Sequence, residues 1–371
     1  MNTSLRIGIA ILMLVFAGLV VYFVKGENAG NGAGLTTVNT SITVSGFYGG
    51  EKEEFLKNPK VQEILRTKYG ITVSARKAGS VEMVRDLPLG AGDDFVWPSS
   101  QASLALYKER NGLLTGSDNI FNSPIVLYTW GPVVDALVKA KIVEKRSEAL
   151  YVIDMNRLVT MISDGKRWAD VGLLQLSGRM SIRTTDPVYS NGGLIFAGLL
   201  ASTLNGGEVP DEQTIQLVLP KLTQFFHRLG MMEQSSKDLF QQYLTTGMGA
   251  KTIVAGYESQ LVEYVLQNPD QKAQVMQNVR VLYPEPTVWS SHPFIARTAK
   301  GKRLMEALKD PAIQEIAWKE HGFRSGLASV SNDPRALGIA GMPTRIDSVI
   351  DMPSPAVIEM IINALSSQLQ R

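Results

Sequence analysis

Three histidines and no cysteine in 371 residues leave this chain few routes to covalent or metal chemistry. Without a thiol there is no cysteine nucleophile, no thiolate zinc site and no disulfide. His227, His292 and His321 have no second histidine at ligand spacing, and neither H-E-x-x-H nor G-x-S-x-G occurs. Their surroundings give them ordinary roles. His227, in LTQFFHRLG, reads as a solvated helix edge, His292 before Pro293 as a loop residue, and His321 as a helix C-terminus, where an imidazolium suits the dipole. The S-x-x-K pattern occurs from Ser74 to Lys77 and from Ser163 to Lys166, but such a nucleophile needs a helix start. The first lies in a strand pattern and the second straddles Gly165. The run GMGAKT from Gly247 departs from a phosphate loop at Ala250, and a helix pattern precedes it. Asp186, Glu258 and Glu285 keep a carboxylate-dependent hydrolase as the alternative. The expectation is a protein that is not an enzyme and holds no cofactor or metal.

Binding chemistry is better represented. Five turns of one type recur: Tyr48-Gly49-Gly50, Ala78-Gly79-Ser80, Pro98-Ser99-Ser100-Gln101, Tyr189-Ser190-Asn191-Gly192-Gly193 and Gly256-Tyr257-Glu258-Ser259. Several follow a strand pattern and open a helix, so they offer hydroxyls, an amide and unpaired backbone N–H groups at the positive end of a helix. Taken singly, each favours a helix cap, because every helix needs one. Together they predict one polar cleft lined by Tyr48, Gly49, Ser80, Ser99, Ser100, Ser190, Asn191, Tyr257 and Glu258, with Tyr283 from a later strand.

Positioning such turns takes strands that end side by side. Strand patterns are read at 41–46, 71–76, 94–97, 124–130, 179–185, 251–255 and 279–289. Helix starts are read at Asn58-Pro59, Asp310-Pro311 and Ser354-Pro355, each a capping side chain before a proline. Alternating strands and helices predict an α/β architecture with a mainly parallel sheet, and ligands of such sheets bind beyond the carboxyl ends of the strands.

Composition narrows the setting. With 37 Lys and Arg against 35 Asp and Glu, the net charge of +2 carries no basic block, so nucleic acid is not an expected partner. The uncharged run from Ile7 to Val24 rises ~1.5 Å per residue as a helix and approaches the ~30 Å of a bilayer core. No small-residue cleavage site follows before Gly34, so residues 1–25 read as an uncleaved single-pass anchor in the cytoplasmic membrane. Residues 26–40 read as a flexible linker. Arg6 on the N-terminal side places the body outside the cell or in the periplasm.

The order of the pieces YGGEK, KYGITVSARKAGSVEMV, DFVWPSSQ, TTDPVYSNGG, VRVLYPEPTVWSSHPFIA and GFRSGL resembles a bacterial extracellular solute-binding protein of the type II periplasmic binding fold, in the molybdate-like branch. The resemblance implies a two-lobed α/β fold, with 41–128 and 290–371 as lobe 1 and 129–289 as lobe 2. It implies crossovers at 125–132 and 279–286, where Pro132, Pro284 and Pro286 would sharpen a hinge. It also implies capture of a small polar or anionic ligand between the lobes for a membrane transporter, such as an ABC transporter, or a sensor. Two features depart from that pattern: the uncleaved helix, and the carboxylates Glu258 and Glu285 at cleft positions, which Arg183, Lys52 and Arg76 are the candidates to offset. A scaffold with a vestigial cleft, interacting through the tail from Gly341 to Met352, is the further alternative.

Overall fold

Residues 41–111 and 114–369 are described by a computed structural model. The anchor at 1–25 and the linker at 26–40 lie outside them. Among the described residues no helix is long and apolar enough to cross a membrane.

Nine strands follow in chain order: β1 Ile42–Tyr48, β2 Ile71–Lys77, β3 Phe95–Trp97, β4 Gly116–Trp130, β5 Val143–Lys145, β6 Tyr151–Ile153, β7 Ile253–Tyr257, β8 Val279–Pro284 and β9 Trp289–Ala296. Their order across the sheet is β2-β1-β3-β9-β4-β8-β6-β5, and β7 also pairs with β4. β1 runs parallel to β2 and β3, whereas β9 is antiparallel to β3 and to the first part of β4, from Gly116 opposite Ala296 to Pro124 opposite Trp289. From Ile125 onward β4 pairs instead with β7 and β8. The change falls at Pro124, which has no N–H to donate to a neighbouring strand. One fifteen-residue strand therefore belongs to two sheets.

The expectation of a mainly parallel sheet is corrected to a mixed one, because β4 and β9 bring antiparallel pairing into its centre. The single strand read at 279–289 divides into β8 and β9. Between them, Thr287 donates through its hydroxyl to Ile125 O at 2.6 Å, and Ile125 N–H donates to Val288 O at 3.0 Å. The strand read at 179–185 is reduced to isolated bridges, Arg179 with Arg167 and Arg183 with Val254.

Helices fill the faces. Pro59–Tyr69, Pro311–His321 and Pro355–Leu369 begin at the predicted proline positions; Asn58 caps the first at Lys60 N, Asp310 the second at Ala312 N. Asn191–Leu204 is apolar on every side, which requires burial all round, and its residues from Asn191 to Thr203 are buried. The first sheet packs Phe95, Trp97, Phe121 and Phe294 with Phe55 and Phe323. The second packs Val126, Tyr128, Val254 and Tyr283 with Trp318. Pro355–Leu369 inserts Val357, Ile358, Ile361 and Leu365 beside the helices Asn191–Leu204, Thr214–His227 and Gln101–Asn111. Full burial stabilises each such side chain by about 1.5–3 kcal/mol. Leu337, Ile339, Met342 and Ile346 pack with the second sheet, so the chain beyond Arg324 packs both on that sheet and on the helix Gln101–Asn111.

Candidate functional site

The carboxyl ends of β1, β2 and β3 deliver three of the polar turns to one place. After β1 the chain bends through Gly49 into a 3-10 turn, Gly50–Lys52. A Cβ on Gly49 would lie 2.6 Å from Glu51 Oε1 and 2.7 Å from Ser99 Oγ, so any larger residue here would displace those side chains. Lys52 follows, with no exposed surface. Its ammonium donates to a carboxylate oxygen of Glu51, to Ser99 Oγ at 2.8 Å and to His292 Nδ1 at 3.2 Å, and it stands 5.5 Å from the Trp97 ring centre. Ser99 donates to the same Glu51 oxygen and accepts from Ser80 Oγ at 3.2 Å. Burial pulls the Lys52 pKa below its ordinary value, against the raising effect of Glu51. Burial, then the Lys52 charge, holds His292 well below the usual imidazole range.

The opposite wall comes from the start of Asn191–Leu204 and the end of β7. Thr185 Oγ1 donates to Ser190 Oγ at 2.8 Å. Asn191 Nδ2 donates across to Ser99 O at 3.0 Å and to the Tyr257 hydroxyl at 2.9 Å, while Asn191 Oδ1 has no hydrogen-bond partner. Tyr257 is buried, and burial first, then the Glu51 charge, raises its pKa far above the ordinary phenol value. It is a neutral hydroxyl at any physiological pH. Gly79 packs under this wall: a Cβ there would stand 2.5 Å from Tyr189 O.

Between the walls lies a cavity of about 630 Å³. Gly49, Ser80, Ser190, Asn191 and Tyr257, all anticipated from the sequence, line it. Ser99 stands directly behind, bonded to Ser80 and Asn191. The other candidates lie elsewhere. Ser100 accepts from Ser103 N at 3.2 Å and caps the helix Gln101–Asn111. Tyr48 packs with the first sheet. Glu258 and Tyr283 form a separate buried cluster, in which Arg324 donates to both Glu258 oxygens, at 2.7 and 2.9 Å, and the Tyr283 hydroxyl donates at 2.7 Å. Glu285 is exposed and pairs with Arg146 at 2.5 Å. Of the cations named to offset these carboxylates, Arg76 pairs with Asp93 and Arg183 donates to Leu229 O, and Lys52 alone reaches the cavity's polar wall.

The sequence reading missed Glu51, Lys77, Glu82 and the segment Gln234–Asp238, all of which line the cavity. Glu51 and Lys77 adjoin turns already singled out, so their proximity was available as a signal. The segment at 234–238 spans the start of the helix Ser236–Thr246, capped by Ser235, and nothing in its composition marks it as a site. His292 is not in a loop but in β9, with no exposed surface. Among the described residues no group of three or more His, Cys, Asp and Glu is placed to hold a metal ion.

No protein-family model matches the sequence, and no curated protein matches it. Solved structures do match in shape. The sulfate-binding protein SubI from Mycobacterium tuberculosis H37Rv aligns with a TM-score of 0.53 at 14% identity, over 89% of this chain and 99% of its own. AfuA from Actinobacillus pleuropneumoniae, a periplasmic binding protein with fructose-6-phosphate bound, gives 0.54 at 14% over 89% and 99%. T. maritima MalE3 with maltose bound gives 0.55 at 15% over 88% and 95%. The chain shares the type II periplasmic binding fold.

Proposed function

We propose that this chain is an extracytoplasmic solute-binding protein, held to the cytoplasmic membrane by its apolar N-terminal segment, that captures a small polar ligand between two lobes and presents it to a transporter or sensor. It performs no reaction of its own. The observation that carries this reading is the cavity itself, whose walls come from turns of both sheets and meet through the Asn191–Ser99 hydrogen bond. Gly49 and Ser80 would contact ligand from the first lobe, and Ser190, Asn191 and Tyr257 from the second. The lobes correspond to 41–128 with 290–371, and to 129–289. Hydroxyls, amides and neutral Tyr257 suit a polar ligand, which must desolvate on entry and recover its hydrogen bonds inside.

A ligand drives closure only through its differential affinity for the closed form, so groups from both lobes are required. Replacing Ser80 and Asn191 together by Ala tests this. The full chain in detergent is screened by thermal shift for ligands and by small-angle scattering for compaction. The parent is expected to gain about 2.7 kcal/mol at a hundredfold excess of ligand over Kd and to compact, whereas the double variant does neither. Binding and compaction by the double variant equal to the parent's would refute the reading.

A further inference from the structure

Beside its hydroxyl and N–H donors the cavity presents acceptors that no described residue satisfies. The Asn191 amide is held in one orientation, because Ser99 O can only accept and so takes Asn191 Nδ2 at 3.0 Å. Asn191 Oδ1 is left as an acceptor with no partner in a side chain only 4% exposed. A buried acceptor of this kind is costly unless a ligand supplies its donor. Glu51 stands close by, its charge felt by the Tyr257 hydroxyl that Asn191 also holds. Lys52 and Ser99 both engage Glu51 Oε1, and no described residue donates to Oε2.

The charges of the lining point the same way. It contains the carboxylates Glu51, Glu82, Asp86 and Asp238 against the ammonium groups Lys77 and Lys237, and no arginine. Both lysines are drawn toward carboxylates outside the lining, Lys237 to Glu54 at 2.6 Å and Lys77 to Glu53 at 3.8 Å. Asp86 is paired with Arg85 at 2.7 Å, and Lys52 offsets Glu51. Among the described residues Glu82 accepts only from Gly79 N, at 3.1 Å, and Asp238 has no ion pair. An oxyanion would meet more carboxylates than ammonium groups, Lys77 being the least committed cation at 3.8 Å from Glu53.

We propose that the ligand of this cleft is a small compound bearing a protonated amine, whose N–H groups take the acceptor positions of Asn191 Oδ1 and Glu51. The proposal rests on the solute-capture reading and names its ligand class. Aliphatic parts of the ligand would lie against Tyr189, which is 45% exposed at the cavity wall.

The test is a titration of the full chain in detergent at low salt with ethanolamine, putrescine, choline, maltose, sulfate and phosphate, read by calorimetry and by small-angle scattering. Ethanolamine or putrescine is expected to bind and compact the protein, and choline, whose nitrogen has no N–H, to bind at least tenfold more weakly. Glu82→Gln combined with Asp238→Asn, on partly exposed walls where folding is not at stake, should weaken amine binding roughly threefold to tenfold, an effect that shrinks at high salt. Glu51→Gln should abolish it. If sulfate, phosphate or maltose compacts the protein and no amine does, the ligand class is wrong while solute capture stands. Amine binding unchanged in both variants also overturns the assignment. If no probe binds, the amine assignment and the capture reading fall together.

Discussion

His292 makes the fold acid-sensitive in a way that can be isolated. Its ring has no exposed surface, with Nδ1 3.2 Å from Lys52 Nζ and Nε2 3.4 Å from Ser290 Oγ, and it packs beside Phe121 and Phe323. Glu51 Oε1 is 3.6 Å away but is shared with Lys52. Burial and then Lys52 hold its folded pKa well below 6.5. The folded protein therefore refuses a proton that the unfolded chain accepts near pH 6.5, and stability falls as pH drops below that value. With the folded ring neutral, such a group removes on the order of 1 kcal/mol between neutral pH and pH 5.5. His292→Asn keeps an acceptor near Lys52 and cannot titrate. Urea midpoints of the full chain in detergent, followed by tryptophan fluorescence at pH 7.5 and 5.5, measure the difference. The parent should lose roughly 1 kcal/mol more than the variant over this interval. Groups such as Glu263, whose pKa burial raises, act in both proteins and cancel. Equal losses in parent and variant would show that His292 is not held neutral.

Two further outcomes separate structural residues from ligand-binding ones. Ser100→Ala should cost about 1 kcal/mol by removing a helix cap while leaving ligand affinity unchanged, as urea unfolding and calorimetry will show. Arg324→Met should cost about 3–5 kcal/mol, because it strands Glu258 without a counter-charge in a buried site; adding Glu258→Met should recover much of that loss in the same unfolding assay.

How much of this was legible in the sequence depended on whether the signal was local. Helix starts at Asn58-Pro59 and Asp310-Pro311 were readable because a cap and a proline act within one turn. The polar turns were readable for the same reason, and nine of their residues line the cavity. Which acidic residue faces ligand was not. Glu258 follows β7 just as Glu51 follows β1, yet Arg324, 66 positions away, claims both Glu258 oxygens. The antiparallel centre of the sheet was equally hidden, since pairing Gly116 with Ala296 is a tertiary choice that no local pattern encodes. His292 read as a loop residue because Pro293 argues against a strand; Pro293 sits opposite Asn119, beside the register shift between Asn119 and Phe121.

The same long-range contacts shape how the proposed lobes can move. The two crossovers meet where β4 changes partners, with Thr287 bonded to Ile125 O and Val288 O bonded to Ile125 N. A third segment joins them. Thr287 N donates to Ser348 O at 3.1 Å and Ile350 N donates to Thr287 O at 2.8 Å, so the tail runs along the crossover like an added strand. Beyond it, Pro355–Leu369 packs on helices of both sheets. Rotation about a two-strand hinge would bend only Pro124–Ile125 and the link from β8 to β9. With the tail attached, the same rotation must also slide Pro355–Leu369 against the helices it contacts, and buried aliphatic packing resists that. Any closure of the proposed lobes is therefore expected to pivot about a three-segment seam and to be smaller in amplitude than a free hinge would allow.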